Sequence, residues 1–549
     1  MNQNDKNRFM PLIMAGCVVA GIIIGTFYAN HFSGNRINII NNGSSRLSNL
    51  LHIIDDQYVD SVNIDELVDK AIPQILADLD PHSVYISAKD VQTNLDELKG
   101  SFSGVGIEFT IRNDTINVQN IIKGGPAEKA GVLAGDKIVS IDGKPFVGKV
   151  VTNDEATHRL KGPKGSKVKV GVQRYGVKGV KYFNITRDDI VTKTISATYM
   201  MNDSTGYIRI KSFGDKTYAE MLASLGQLRQ QGFKNLIIDL RDNTGGLLDR
   251  SVQMVNEFLP KDRLIVYTQG RKSPRKEYVS DGRGSYQDIP LVVLINEGTA
   301  SAAEIFAGAI QDNDRGTIIG RRSFGKGLVQ KQIEFPDGSM IRLTTARYYT
   351  PSGRCIQKPY TPGDDVDYEQ DLMTRYEHGE FFSQDSIKHT GPAYYTVLGR
   401  TVYGGGGITP DIFVPEDTTN ITSYYKEAIM TGLILQYAFN YTAENRPELK
   451  NFTEMQQMAN YLSQQNLVEG FANFADKNGL RRRNLMISKS HTLLQTFIFS
   501  RIIYTMLDEE AWNEYLNQDD KTVETALRVL REGKAFPQKP LIMRTRQQR

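Results

Sequence analysis

Residues 290–335 read PLVVLINEGTASAAEIFAGAIQDNDRGTIIGRRSFGKGLVQKQIEF, and the order of elements in this stretch governs how the rest of the chain is read. PLVVLIN has the length and branched apolar content of a buried strand, EGTA is a tight loop, and SAAEIFAGAI opens a helix. Ser301 therefore stands at a strand-to-helix corner, where the N-terminal end of a helix favours negative charge that develops nearby. A serine here is by default a helix cap. As a nucleophile it needs a base within reach, and the stretch contains no histidine. Its best base is Lys326, set between Gly325 and Gly327 after the strand GTIIG and the loop RRSFG. Glycine neighbours let two backbones close on a lysine and strip water from its ammonium. Desolvation lowers the lysine pKa, and a neutral amine can take the serine proton.

A phosphate loop is the rival reading of the same residues. Gly320, Gly325 and Lys326 match GxxxxGK[ST] except at the last position, where Gly327 replaces the Mg²⁺-binding hydroxyl residue. LVQKQIEF alternates like a strand, whereas a phosphate loop needs a helix N-terminus there. The nucleotide reading fails on both counts. Acyl transfer also needs N–H donors for an oxyanion, and the glycines of DLRDNTGG offer Gly245 or Gly246 beside the N–H of Ala302. Either glycine could equally serve the turn before the next helix.

Outward from this centre, strands and helices alternate from Tyr207 to about Pro415, which predicts βαβ crossovers around a buried sheet. From Ser101 to Arg187 the pattern changes to short alternating strands, with two helices in GGPAEKAG and TNDEATHRLKG. At the entrance of this small β-domain, SGVGIEF places glycines where successive N–H groups can form an anion-binding nest, and a strand edge beside it can hold an extended peptide by its carboxylate. LSNLLHIIDDQYVD and NIDELVDKAIPQILADLD predict two amphipathic helices, and DPHSVYI breaks the pattern with His82 as a turn residue. After residue 420, YYKEAIMTGLILQYAF and SHTLLQTFIFSRIIYTMLDEEAWNEYL predict an all-helical extension.

At 549 residues, with 40% hydrophobic and 23% charged residues, the chain is long enough for several folded domains and does not read as disordered. A net charge of +3 with interspersed signs gives no basic field for nucleic acid. Two cysteines, Cys17 and Cys355, exclude a disulfide framework and argue against thiolate metal sites. MPLIMAGCVVAGIIIGTFYA, residues 10–29, carries no charge and is about long enough to cross a ~30 Å hydrocarbon core. An uncleaved membrane anchor is expected. The flanking Lys6, Arg8, Arg36 and Arg46 leave its orientation open.

The block containing SGVGIEF and PAEKAGVLAGDKIVSIDGK resembles a PDZ domain in the circular arrangement of bacterial proteases, with Gly104, Val105, Gly106 and Ile107 at the peptide-binding loop. Taken with LDPHSVYI, DLRDNTGG, NEGTASAAEIFAGAIQDN, FGKGLVQ, TTARYYTPSGRCIQ and GGITPDI, the chain from 45 to 417 resembles the carboxyl-terminal processing peptidases, tail-specific serine-lysine proteases. The resemblance implies a multidomain α+β chain. Its parts are a tail and anchor over 1–30, a spacer and helical region over 31–98, an inserted PDZ domain over 99–190, a crotonase-like α/β protease core over 191–417 and a helical extension over 418–549.

The resemblance also implies Ser301 as nucleophile, Lys326 as general base, Gln330 orienting the lysine, and oxyanion N–H groups at Gly245 or Gly246 and at Ala302. Cleavage would use no metal, nucleotide or other cofactor. The implied partners are proteins or peptides with unstructured carboxyl-terminal tails and the inner membrane, with the catalytic part periplasmic; homo-oligomer and adaptor both stay open. Residues 326 and 330 of an extended strand lie about 13 Å apart, so a Lys326–Gln330 contact requires the Gly-Lys-Gly segment to curl. Thr244 stands where the family commonly has proline. An inert PDZ scaffold is the rival from another class.

Overall fold

The computed structural model describes residues 43–539 apart from 113, 365 and 390, together with Val19. The expected anchor at 10–29 lies, but for Val19, outside the described residues, and among those described no helix is long and apolar enough to cross a membrane. The chain divides into two units, residues 1–75 and 76–549. The first holds the helix Gly43–Gln57 and the start of the helix Ile64–Ala77, the two helices that the apolar spacing predicts.

In the second unit the central sheet has six strands in the order Ile195–Asn202, Thr205–Ile210, Asn235–Asp239, Leu291–Ile295, Thr317–Gly320 and Ile412–Phe413. The first pair is antiparallel and the remaining pairs are parallel, as βαβ crossovers require. Each strand sends alternate residues to opposite faces. Ile208, Ile238 and Val293 pack with Leu225, Met254 and Phe306 from the helices Thr217–Gln230, Leu248–Asn256 and Ala302–Asp312. On the other face Tyr207, Ile237, Val292 and Ile319 are covered by Val523, Ala526, Val529 and Leu530 of the last helix, Lys521–Arg531. The helix Lys521–Arg531 thus supplies a layer of the core. A second sheet sets Met340–Tyr349 between Val84–Ile86 and Leu264–Gln269, and Leu328–Glu334 also pairs with it.

Residues 107–186 form a five-strand antiparallel path with Ile107–Arg112 at its edge, and Ile116, Val118, Ile138 and Val170 are buried in its core. Gly131 closes the helix Pro126–Ala130 with φ 90°, and Thr152 caps Asn153–Leu160 by accepting from Glu155 N–H. The helical extension breaks more often than its apolar period suggests. YYKEAIMTGLILQYAF becomes two helices, Ser423–Met430 and Leu433–Leu449, separated at Gly432 with φ 67°. Asp508 starts another by accepting from Ala511 N–H, because a short acidic side chain competes for backbone donors and so favours a cap over a helix interior.

Candidate active site

The strand Leu291–Ile295 ends in a loop whose polar side chains are consumed in fixing it. Thr299 Oγ1 accepts from Asn296 N–H at 3.0 Å and donates to the Leu240 carbonyl at 2.8 Å. Asn296 Oδ1 accepts from Asp242 N–H at 2.8 Å, and Ala300 N–H donates to the Asn243 carbonyl at 2.9 Å. The corner that carries Ser301 is thereby bound to DLRDNTGG. Ser301 caps the helix Ala302–Asp312 at φ 55° and ψ −116°, a left-handed conformation that a non-glycine residue holds at a cost of ~1–3 kcal/mol.

Gly245 lies directly against it. A Cβ on Gly245 would stand 2.7 Å from Ser301 Cβ and 2.8 Å from the Ala300 carbonyl, and φ is 103°. Its N–H donates to Asn243 Oδ1 at 2.8 Å. The N–H groups of Gly246 and Ala302 have no acceptor among the described residues, so of the three N–H groups expected to bind an oxyanion these two are open.

Lys326 and Ser301 are brought together by two residues that the sequence reading did not single out. Glu304, fully buried, accepts through Oε2 from Ser301 N–H at 2.9 Å and Lys326 N–H at 2.8 Å, and through Oε1 from Gly325 N–H at 2.7 Å and the Ser323 hydroxyl at 2.5 Å. Burial pushes its carboxyl up to about 7, against those four hydrogen bonds. The Tyr348 hydroxyl donates to the carbonyls of Lys326 at 2.7 Å and Ser301 at 3.1 Å. Two anchors of opposite polarity thus fix both backbones. The signal for Glu304 was its place three residues after Ser301, where the capping pattern puts an acid that reaches back to the cap N–H.

The lysine is held as the glycine argument requires. A Cβ on Gly327 would meet Gln357 N at 2.8 Å, and one on Gly325 would meet Gly407 N and Lys358 Cβ at 3.1 Å, so neighbouring chain closes on both sides. Burial lowers the Lys326 pKa, and the Arg342 charge lowers it further. Its Nζ donates to Gln330 Oε1 at 3.2 Å. That contact forms because Gly325 turns through φ 92°, the strand begins only at Leu328, and a register shift separates Val329 from Gln330. No hydrogen bond joins Lys326 Nζ to the Ser301 hydroxyl among the described residues.

Gln330 in turn donates from Nε2 to the His82 carbonyl. Asp80 holds that turn, accepting from the N–H groups of His82 and Ser83 at 2.9 and 3.0 Å and from the Thr344 hydroxyl at 3.0 Å. The His82 ring contacts the Tyr368 hydroxyl at 2.7 Å, and burial with the nearby Lys326 charge lowers its pKa to about 4. His82 therefore acts through its backbone while its ring stays neutral.

At the PDZ entrance, Val105 and Gly106 give their carbonyls to Ala127 and Ile122 N–H at 2.8 and 3.0 Å. Their own N–H groups have no acceptor among the described residues. Gly104 ends the strand Ser101–Gly104, and Ile107 begins the edge strand. The structure thus sets the four loop residues beside an open strand edge, apart from the Ser301 corner in the core.

Residues 204–367 match the model of peptidase family S41, 103–181 match the PDZ domain, and 424–508 match a family of unknown function. The chain is 40% identical over 339 residues to the carboxy-terminal-processing protease of Bartonella bacilliformis, covering 61% of this chain and 76% of that one. It is 37% identical over 310 residues to the carboxyl-terminal-processing protease of Synechocystis, covering 55% and 71%. A solved photosystem II D1 C-terminal processing protease is similar at 30% identity over 59% of this chain and 92% of that one, with a TM-score of 0.33. These matches define a serine peptidase that carries a PDZ domain. The chain belongs to peptidase family S41, the carboxy-terminal-processing proteases.

Proposed function

We propose that the chain is a membrane-anchored endopeptidase that captures unstructured carboxyl-terminal tails through its PDZ domain and cuts them with a Ser301/Lys326 dyad. The observation that carries this reading is the shared clamp: one buried carboxylate and one buried hydroxyl hold the backbones of Ser301 and Lys326 together, while the partly desolvated ammonium, among the described residues, is hydrogen-bonded only to an uncharged amide. Burial and the Arg342 charge outweigh the pull of the Asp80 and Glu304 carboxylates, so this lysine holds its proton less tightly than one in water.

In the proposed cycle the Lys326 side chain swings from Gln330 to Ser301 as the substrate excludes water, and takes the hydroxyl proton as Oγ attacks the scissile carbonyl carbon. The N–H groups of Ala302 and Gly246 bind the oxyanion, with the helix Ala302–Asp312 adding its dipole. Lys326 returns the proton to the leaving amine, and water then releases the acyl group by the same route. The edge strand Ile107–Arg112 pairs with the captured tail, and the N–H groups of the Gly104–Ile107 loop receive its carboxylate. The apolar, uncharged run 10–29 supports the anchor, and by family resemblance the bulk of the chain faces the periplasm.

Lysine chemistry supplies the test. Peptidase activity should rise with pH through the Lys326 ionisation, well below ~10.4, the ordinary lysine value, beside that of the Glu304 carboxyl near 7 and with no contribution from the His82 ring, whose pKa is lowered to about 4. Lys326→Arg should be as inactive as Lys326→Ala, since a guanidinium keeps its proton at any working pH. Substantial activity in folded Lys326→Arg rules out the general-base role.

A further inference from the structure

The outer face of the PDZ sheet meets the helical extension across a cavity of about 90 Å³. The sheet lines it with Thr110, Arg112 and Lys137, and the helix His491–Met506 lines it with Arg501 and Tyr504. Among the described residues three cations and no carboxylate line this space. Arg112 donates one N–H to the Gly432 carbonyl at 2.9 Å. Arg501 lies 5.4 and 5.8 Å from the ring centres of Phe497 and Trp512, and its guanidinium makes no hydrogen bond to a described residue. None of the three cations has an ion-pair partner among the described residues, and Glu108, on the same strand as Arg112, is taken by the Tyr504 hydroxyl. Burial lowers the pKa of both arginines, which are half-buried with none of their charge answered by a carboxylate among the described residues, while Lys137 is exposed.

A desolvated guanidinium is stable only when its donors are answered, and two planar forks with a flexible ammonium match an oxyanion that accepts from several sides. We propose that this cavity binds a compact oxyanion of the phosphate class, held by Arg112, Arg501 and Lys137. Bound there, the anion ties the strand Ile107–Arg112 to the helical extension and fixes the PDZ sheet against it. The site lies outside the proposed dyad, so it stands or falls separately from the peptidase reading.

Calorimetric titration of the full chain with inorganic phosphate tests it. One saturable site is expected, at least about tenfold weaker in Arg501→Gln and in Arg112→Gln. Phosphate should also raise the Tm of the wild type and, at the same concentration, raise that of both variants less. Thr110→Glu places a carboxylate among the cations. It should abolish phosphate binding while raising the Tm measured without phosphate, so the proposal can be tested even if an arginine variant fails to fold. Glycerol 3-phosphate distinguishes the source: binding indicates an esterified phosphate, and exclusion together with phosphate binding indicates the free anion. A wild-type chain that takes up no phosphate, or phosphate binding unchanged in Thr110→Glu, overturns the site.

Discussion

Glu304 has two carboxylate oxygens engaged in four hydrogen bonds, and two of the donors are the N–H groups of Ser301 and Lys326. Glu304→Ala would orphan all four donors in the interior, so it should destabilise the chain by about 3–5 kcal/mol and abolish peptidase activity in whatever fraction still folds. Its carboxyl is raised in the folded chain from 4.5 to about 7, so between those values the folded state holds a proton that the unfolded state has lost. This group's stabilising contribution is therefore fully present below pH 4.5 and is lost as pH rises through 7. Urea denaturation from pH 5 to 8 should show a fall in stability that is shallower in Glu304→Gln; equal slopes would contradict the assignment. Ser301, Lys326 and Gln330 were legible because each could be matched to a motif position. Glu304 was not, because AAEIFAGAI reads as a helix with one polar residue, and only the closure of Ser323–Lys326 over it makes that residue interior. Tyr348 escaped notice for the same reason.

At the scale of elements, the strand-to-helix corner was predictable from PLVVLIN followed by SAAEIFAGAI, but its strain was not. Nothing in the residue types announces that Ser301 sits at φ 55°. The Asn243–Gly246 turn that supports it has a sharper requirement, since Gly245 combines φ 103° with a site where an added Cβ would stand 2.7 Å from Ser301 Cβ. Gly245→Ala should therefore displace Ser301 by a few tenths of an ångström to about 1 Å and, on the proposed mechanism, reduce kcat roughly 10²-fold, with KM for short peptides changed far less. Steady-state kinetics separates the two quantities, and a kcat within twofold of wild type would show that the corner does not depend on this approach. The curl from Gly325 to Leu328 was the one geometric commitment the sequence demanded, and the 3.2 Å contact of Lys326 with Gln330 meets it. Breaks in the extension at Gly432 and Asp508 were missed because the apolar period runs on through them.

Across the whole molecule, a site in the core and a capture surface in the PDZ domain belong to one chain, and the last helix returns to seal the core sheet. That return was illegible: Val523, Ala526, Val529 and Leu530 give an ordinary amphipathic stripe, and a stripe does not name its partner. Arg241 of DLRDNTGG reaches Asp520 at the start of this helix at 2.6 Å, so one motif serves both the Ser301 corner and the helix Lys521–Arg531. Tail capture predicts that amidating a substrate's carboxyl terminus weakens engagement roughly 10- to 150-fold, the worth of one charge-assisted hydrogen bond of ~1.5–3 kcal/mol. Competition between free and amidated peptides measures this, and equal affinities would remove the carboxylate from the recognition. The most direct measurement incubates the full chain, and separately its Ser301→Ala variant, with an unfolded protein and identifies the fragments by mass. The account predicts internal cleavage by the wild type and none by the variant; the same fragments from folded Ser301→Ala would show that Ser301 is not the nucleophile.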